Sequence, residues 1–319
     1  MPDVSVIVPV YRAEKYIERC CRSLFEQTLD NIEYIFVDDC TPDRSMEIIQ
    51  KILDDFPQRK TDVKILHNPT NLGVSETRKK GVKASTGNYV IHCDPDDWAD
   101  VTAYEKLYDY AKKNDFDIVS CMFYKVDQAG NKRLILEEKQ NDVLKQLLIG
   151  QRQGSLWNRL VRGNIARSNA ILFPEKNMGE DLALVLQYYY YSSRCGEICE
   201  PLYYYNNNLE SITSFGNPDK LLRQAYEMAS ILETIIQFLY QKGLIRNYSR
   251  EIVARKFFNK RWILPAIRSA KDCSYWVKLH PDINYSLFFN PYISSQDKVT
   301  SLLVELYAYP LLRKILRNR

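Results

Sequence analysis

The stretch Val90-Ile91-His92-Cys93-Asp94-Pro95-Asp96-Asp97-Trp98 runs from an apolar segment straight into three carboxylates within four residues, then an indole. Like charges that close repel unless they are solvated, protonated or shared with a cation. Hard divalent cations take oxygen ligands, and Mg²⁺-type ions commonly combine one or two carboxylates with substrate phosphates. The stretch therefore reads as a strand ending in a metal–phosphate site. On the residues alone, a solvated acidic loop ahead of a helix N-terminus, where Asp is favourable, stands beside that reading.

Upstream, residues 4–10 (VSVIVPV) are almost unbroken in apolar character, as in a parallel strand buried on both faces. Tyr16/Ile17, Cys20/Cys21 and Leu24/Phe25 recur at helical spacing and predict a helix over 13–28. A strand at 32–37 ends in Asp38-Asp39; a helix follows to Phe56, then a strand at 63–66, a helix at 73–84 and a strand at 89–93. This alternation predicts an α/β fold with a mostly parallel sheet flanked by helices. In open sheets of that kind ligands bind beyond the carboxyl ends of the strands. Tyr11, Asp38-Asp39, residues 68–78 and residues 94–97 are thus expected on one rim.

Downstream, a helix to Asn114 is expected to be capped by Asp100 or by Thr102, the latter with Glu105 in a capping box. Residues 117–127 and 132–137 read as a hairpin around Gln128-Ala129-Gly130-Asn131. Further helices are expected at 143–149 and from Glu180-Asp181 to Tyr191, with a strand at 197–205 between them and the C-terminal part. From Pro218 the pattern is helical: 221–240, 248–270 and 300–316. Gly216, Asn217 and Pro218 cluster at a boundary near 214–218, dividing 1–215 from a helical region, 216–319.

With 45% hydrophobic and 26% charged residues, the 319-residue chain has the composition of a soluble globular protein. Its net charge of +4 is uneven: residues 255–319 hold 12 Lys/Arg against 4 Asp/Glu, the rest 32 against 36. A basic, aromatic-rich C-terminal part suits an anionic surface, membrane or nucleic acid; an ordinary basic helical face suits it equally. No basic n-region precedes the first strand, so no signal peptide is expected. No run approaches the roughly 18 apolar residues of a membrane span. The eight cysteines contain no CxxC pair, which fits neither a disulfide framework nor a zinc site and points to reduced thiols in a cytoplasmic protein. The absence of GxGxxG after the first strand and of GxxxxGK[ST] argues against dinucleotide oxidoreductases and P-loop NTPases. An EF-hand is excluded because Trp98 occupies a ligand position and Ala99 the glycine position.

Several elements together resemble family 2 of the inverting glycosyltransferases. They are residues 4–11 (VSVIVPVY), Val37-Asp38-Asp39 with Asp43-Arg44-Ser45, Asn68, Asn71-Leu72-Gly73, Arg78, Gly87, Asp94-Pro95-Asp96-Asp97-Trp98, Trp157-Asn158-Arg159-Leu160 and Glu180-Asp181-Leu182. Their order and spacing match the family over about residues 2–213. The resemblance implies a GT-A type, Rossmann-like catalytic domain, with nucleotide-sugar binding in about 1–127 and the acceptor side in about 128–215. It implies an EC 2.4 hexosyltransferase-type enzyme dependent on Mn²⁺ or Mg²⁺, moving a sugar from a nucleotide sugar, UDP-linked, to a glycan or lipid-linked glycan acceptor in bacterial surface polysaccharide biosynthesis.

By the same resemblance Asp97 is the principal metal ligand with Asp96, and Asp94 and Asp96 also touch the ribose or sugar. Asp39 recognises the base, Pro9 and Tyr11 line the nucleoside pocket, and Arg78 contacts the nucleotide, as its planar guanidinium allows. Asp181 is the general base that takes the proton of the acceptor hydroxyl, with Glu180 orienting it. Trp157 and Asn158 are expected on the acceptor side, although a core tryptophan and helix N-terminal acids are the plain structural readings. The chain departs from the family at Cys40, where glycine is common, at Lys79, where asparagine is common, and at the polar His92-Cys93. Cytoplasmic localisation, peripheral on the inner face of the membrane through the C-terminal helices, is expected, and no nucleic-acid partner. The alternatives are a nucleotidylyltransferase, against which the glycine-free residues 9–15 argue, and a catalytically silent nucleotide-sugar or glycan-binding module.

Overall fold

The computed structural model describes residues 1–136, 142–208, 217–311 and 314. In chain order the elements are β1 (Val4–Val10), α1 (Ile17–Phe25), β2 (Ile32–Asp38), α2 (Ser45–Asp55), β3 (Val63–His67), α3 (Val74–Ala84), β4 (Tyr89–His92) and β5 (Trp98–Ala99). Next come α4 (Ala103–Asn114), β6 (Ile118–Val126), β7 (Lys132–Ile135), α5 (Val143–Ile149), β8 (Arg159–Arg162), α6 (Gly163–Ala166), α7 (Glu180–Tyr191) and β9 (Cys195–Asn206). The chain closes with α8 (Pro218–Gln241), α9 (Ser249–Trp262), α10 (Ala270–Lys278) and α11 (Ser295–Glu305). They fall into two compact units: Met1–Glu138 with Gly154–Ser211, and Lys139–Gln153 with Ile212–Arg319.

The first unit is built on one sheet in the order β3-β2-β1-β4-β8-β6-β9-β5, with β7 on β6. Among the described strands β1, β2, β3, β4, β6 and β9 share a direction and β5, β7 and β8 oppose it, which is the mostly parallel α/β fold expected. All of β1 is buried, as its unbroken apolar run requires. Its period-two alternation divides the core. Val4, Val6, Val8 and Val10 join α1, α2 and α4 in one cluster. Ile7 faces α3 instead, where Gly81 leaves room: a Cβ there would stand 2.4 Å from Ile7 Cγ2. Because Ile7 pairs with His92, β4 carries His92 on the α3 side as well.

Local chemistry altered some expected elements. The capping box at α4 does not form: Thr102 Oγ1 donates to Asp100 (2.7 Å), and Glu105 accepts from Thr28 Oγ1 (2.6 Å). In the second unit the helix expected over 248–270 stops at Trp262. Pro265, lacking a backbone N–H, sits in a 3-10 turn after α9, and Ser269 with Asp272 builds a capping box that starts α10 afresh. The helix expected at 300–316 begins earlier, on the Ser294 cap, and ends at Glu305 before Tyr307 at φ +58°. Residues 312, 313, 315 and 316 of that expectation, Glu137 of the hairpin and 214–216 of the boundary lie outside the described residues. α5, in the stretch assigned by sequence to the acceptor side, groups with α8–α11, where Arg255 donates to the carbonyls of Leu147 and Leu148. Phe257, Trp276, Ile263 and Leu287 centre that unit's core.

Candidate active site

The parallel strands bring three groups of carboxylates to one rim of the first unit. The first follows β2. Asp39, only 3% exposed, accepts from Asn68 Nδ2 (2.8 Å) and the Leu72 amide (2.8 Å) through Oδ1, and from the Gly73 amide (2.9 Å) through Oδ2. It thereby shapes the loop that leads into α3. Gly73 has φ +86°, and a Cβ on it would fall 2.4 Å from the Asn177 amide group, so this close approach requires glycine. Pro9 is buried within β1, and Tyr11 beyond it is 40% exposed, its ring available at the rim. Cys40, at the family's glycine position, takes the left-handed conformation, φ +56°. The turn keeps its glycine-like shape, and the cysteine bears the strain.

The acidic motif after β4 is the second group, and its three acids are not equivalent. Asp97 is 1% exposed, and both its oxygens are taken: Tyr203 Oη donates to one (2.8 Å) and the Asn206 amide to the other (2.7 Å). The Asp94 amide in turn donates to Tyr203 Oη (3.1 Å). Asp97, expected from sequence as the principal metal ligand, is thus tied to β9 by one hydrogen bond at each oxygen, with Asp94 and Asp96 beside it on the turn. Asp96 accepts from Asn208 Nδ2 (3.2 Å), and burial with the nearby Asp94 charge pushes its pKa up to about 6. Arg19 lies 3.5 Å from the centre of the Trp98 ring and donates to the Asp96 carbonyl (3.4 Å).

Gly179, at φ +98°, opens α7 and places the third group, Glu180 and Asp181, in its first turn. Arg78 reaches across from α3. Its Nη2 lies 2.9 Å from Asp94 Oδ1 and 3.4 Å from Asp181 Oδ1, and its Nε 3.4 Å from Glu180 Oε1. Asp181 Oδ2 accepts from the Leu156 amide (3.3 Å). Burial raises the proton affinity of Asp181 against the opposing pull of Arg78; burial and the Asp181 charge raise that of Glu180. Beneath them His92 is buried without a hydrogen bond at either ring nitrogen and is held neutral by burial and by the Arg78 charge.

The two residues expected at the acceptor lie inside. Trp157 is 6% exposed and stacks on Tyr203 (4.5 Å, 11°) and Tyr205 (5.6 Å, 22°). Asn158 is fully buried, donating to the Cys121 carbonyl (3.0 Å) and accepting from Ser155 Oγ (2.9 Å) and Arg159 Nη1 (2.6 Å). A side chain so engaged has no surface for a sugar; these residues support the rim from below. Sequence reading missed Tyr203, Asn206, Asn208 and Asn177. The run Tyr203-Tyr204-Tyr205 at a strand end was the one signal, and it gave no hint that a hydroxyl there would hold Asp97.

The family model described as "Glycosyl transferase family 2" matches residues 5–172, more than half of the chain. Among curated relatives, the uncharacterized glycosyltransferase EpsJ of Bacillus subtilis is 33% identical over 223 residues, 67% of this chain and 63% of its own length. Among solved structures, S. aureus TarS 1-349 in complex with UDP-GlcNAc matches with a TM-score of 0.61 at 18% identity, over 94% of this chain and 91% of that one. The mannosyltransferase PcManGT of Pyrobaculum calidifontis, in complex with GDP-Man and Mn²⁺, matches with a TM-score of 0.55 at 14% identity, over 98% and 88%. The family match takes in Asp39, Arg78 and the whole acidic motif and ends before Glu180. The chain belongs to glycosyltransferase family 2.

Proposed function

We propose that the chain is an inverting, metal-dependent hexosyltransferase that moves a sugar from a UDP-linked donor to a glycan or lipid-linked glycan acceptor of surface polysaccharide. One observation carries this reading: Asp94 and Asp181, 87 positions apart in the chain, converge on the same buried Arg78 nitrogen. That convergence sets a donor-side carboxylate beside a candidate base. The complexes of TarS with UDP-GlcNAc and of PcManGT with GDP-Man support a nucleotide sugar as donor.

The residues fit a divalent cation. No group of three or more His, Cys, Asp or Glu among the described residues is arranged as a protein-only metal cage. Two carboxylates, Asp94 and Asp96, with further positions left to phosphate oxygens and water, are the donor set that Mg²⁺ or Mn²⁺ accepts. Asp96, with its raised proton affinity, is a carboxylate that a cation would settle. Such an ion supplies neutralisation of the departing diphosphate. Tyr11 stacks on the base, and Asp39 shapes the pocket around it. Asp181 takes the proton of the attacking hydroxyl, a task its raised proton affinity suits, and Glu180 orients it.

An anionic membrane as a second partner has its own support. Val299, Leu302 and Leu306 are exposed at helical spacing on and just beyond α11. Its acids are occupied elsewhere, Asp297 with Arg261 (3.5 Å) and Glu305 with the Lys260 charge. An apolar stripe without free acids on a region of net positive charge suits the cytoplasmic face of a membrane.

Isothermal calorimetry with UDP-, GDP- and dTDP-sugars, with and without Mn²⁺, tests the central reading. UDP-sugars should bind in a cation-dependent way, and Asp96→Ala should weaken them by about 100-fold or more, the scale of a lost charged interaction of about 3 kcal/mol. Donor binding that ignores both the cation and the substitution would overturn it.

A further inference from the structure

Arg78 lies on α3, whose first turn is fastened to the segment before α7. Ser75 Oγ donates to the Pro174 carbonyl, and the Ser75 amide donates to Asn177 Oδ1 (3.3 Å). With the two helix starts tied, the Arg78 side chain is the part free to adjust. It is 4% exposed, too buried to follow a ligand outward. Its Nη2 is shared unequally, 2.9 Å from Asp94 Oδ1 and 3.4 Å from Asp181 Oδ1. Two buried atoms beside that contact make no hydrogen bond, Arg78 Nη1 and Asp181 Oδ1. A guanidinium and a carboxylate bond best as a fork, through two parallel contacts. Here the fork to Asp181 is not made: Nη2 donates its hydrogen bond to Asp94 and reaches Asp181 only as a 3.4 Å ion pair.

We infer that Arg78 is a positioning residue that fixes the base Asp181 only once the donor has drawn off the charge of Asp94. The inference rests on the reading of Asp94 as a donor-side carboxylate and of Asp181 as the base. One guanidinium faces three carboxylates, Asp94, Glu180 and Asp181. When the donor complex engages Asp94, the Coulombic pull on Nη2 from that side falls, and the guanidinium closes on Asp181. The acceptor then meets an oriented base only in the donor-loaded protein. Binding is thus ordered, donor first. This role differs from that of a donor ligand, because Arg78 acts on the acceptor half-reaction through Asp181.

The test compares Arg78→Gln and Arg78→Lys with wild type in the full chain, reading UDP affinity with Mn²⁺ by calorimetry alongside steady-state turnover. A positioning role predicts UDP affinity within about threefold of wild type while Arg78→Gln lowers kcat by about 100-fold, the lower range of a general-base contribution. Arg78→Lys should recover part of that loss, since lysine restores the charge without the fork. Equal losses in UDP affinity and kcat would make Arg78 a donor ligand and overturn the inference, as would turnover of Arg78→Gln close to wild type. If Arg78→Gln does not fold, Arg78→Lys alone gives the same two readings, a lowered kcat with UDP affinity kept. Failure of the underlying reading is separate: it shows in wild type, as UDP binding that needs no cation.

Discussion

Two buried cations, one in each unit, set a standard for telling a site from a scaffold. Lys260 in the helical unit donates to the Trp276 carbonyl (2.7 Å) and to Asn284 Oδ1 (2.5 Å). Asn259 nearby holds the Ala225 carbonyl (2.9 Å) and His280 Nε2 (2.6 Å), and the hydrogen-bond partners of Lys260 are neutral oxygens. Arg78 faces three carboxylates and still has a buried nitrogen without a hydrogen bond. Burial pulls the Lys260 pKa down to about 8, whereas at Arg78 burial is outweighed by Asp181, Asp94 and Glu180, and the proton is held more tightly. A buried cation bonded to neutral oxygens specifies packing. A buried cation among three carboxylates whose proton affinities are shifted by burial and by one another marks where something else is meant to bind.

The strongest way to break this contrast is at Asp181. Asp181→Asn keeps the shape and removes the proton acceptor, so kcat should fall by about 10³-fold while UDP affinity with Mn²⁺ stays close to wild type. Near-normal turnover would mean that the carboxylates around Arg78 are not catalytic.

Lys260 should behave in the opposite manner, altering stability and leaving UDP affinity untouched. Its folded pKa of about 8 lies below the 10.5 of an ordinary lysine, so between these values the unfolded chain binds more protons. Stability from this group therefore rises with pH across about 8 to 10.5. Chemical denaturation across that range should show wild type gaining on Lys260→Met as pH rises; parallel profiles would show that burial does not penalise the charge. His280 extends the same logic downward. Its pKa is pulled to about 4 by burial and Lys256, so the unit should lose stability as pH falls from about 6.5 to 4.

The smallest expected effect concerns the outside of the helical unit. Leu302→Asp should reduce flotation with vesicles containing phosphatidylglycerol by about fivefold, the effect of losing about 1 kcal/mol of apolar insertion. Flotation unchanged by the substitution would take α11 out of the membrane proposal.

What could be read from the chain follows the range of the interactions. The parallel half was legible because β1 to β4 carry their own periodicities and pair with near neighbours. The rim followed from topology, so Asp39, Arg78 and the acidic motif could be placed together before any coordinates. The unequal bonding of the three acids in Asp94-Pro95-Asp96-Asp97 could not, because it is imposed by Tyr203 and Asn206, more than a hundred residues later. Trp157 and Asn158 carry a family pattern, but a pattern does not tell a residue that touches a ligand from one that supports the floor beneath it. Pro265 was visible in the sequence; the helical spacing on both sides of it masked the break.

The anchoring of Asp97 by β9 also fixes when the protein can become competent. The Asn206 amide that holds Asp97 lies 109 positions further along the chain. At ribosomal rates of about 5–20 residues per second, that interval lasts about 5–20 s. Throughout it, the two hydrogen bonds that the Asp97 carboxylate accepts from β9 are not yet available. Contacts of such sequence separation carry the largest loop-closure cost and form slowly. The nucleotide half of the protein can therefore collapse early around β1, but its acidic turn takes shape only when the last strand of the sheet is laid in.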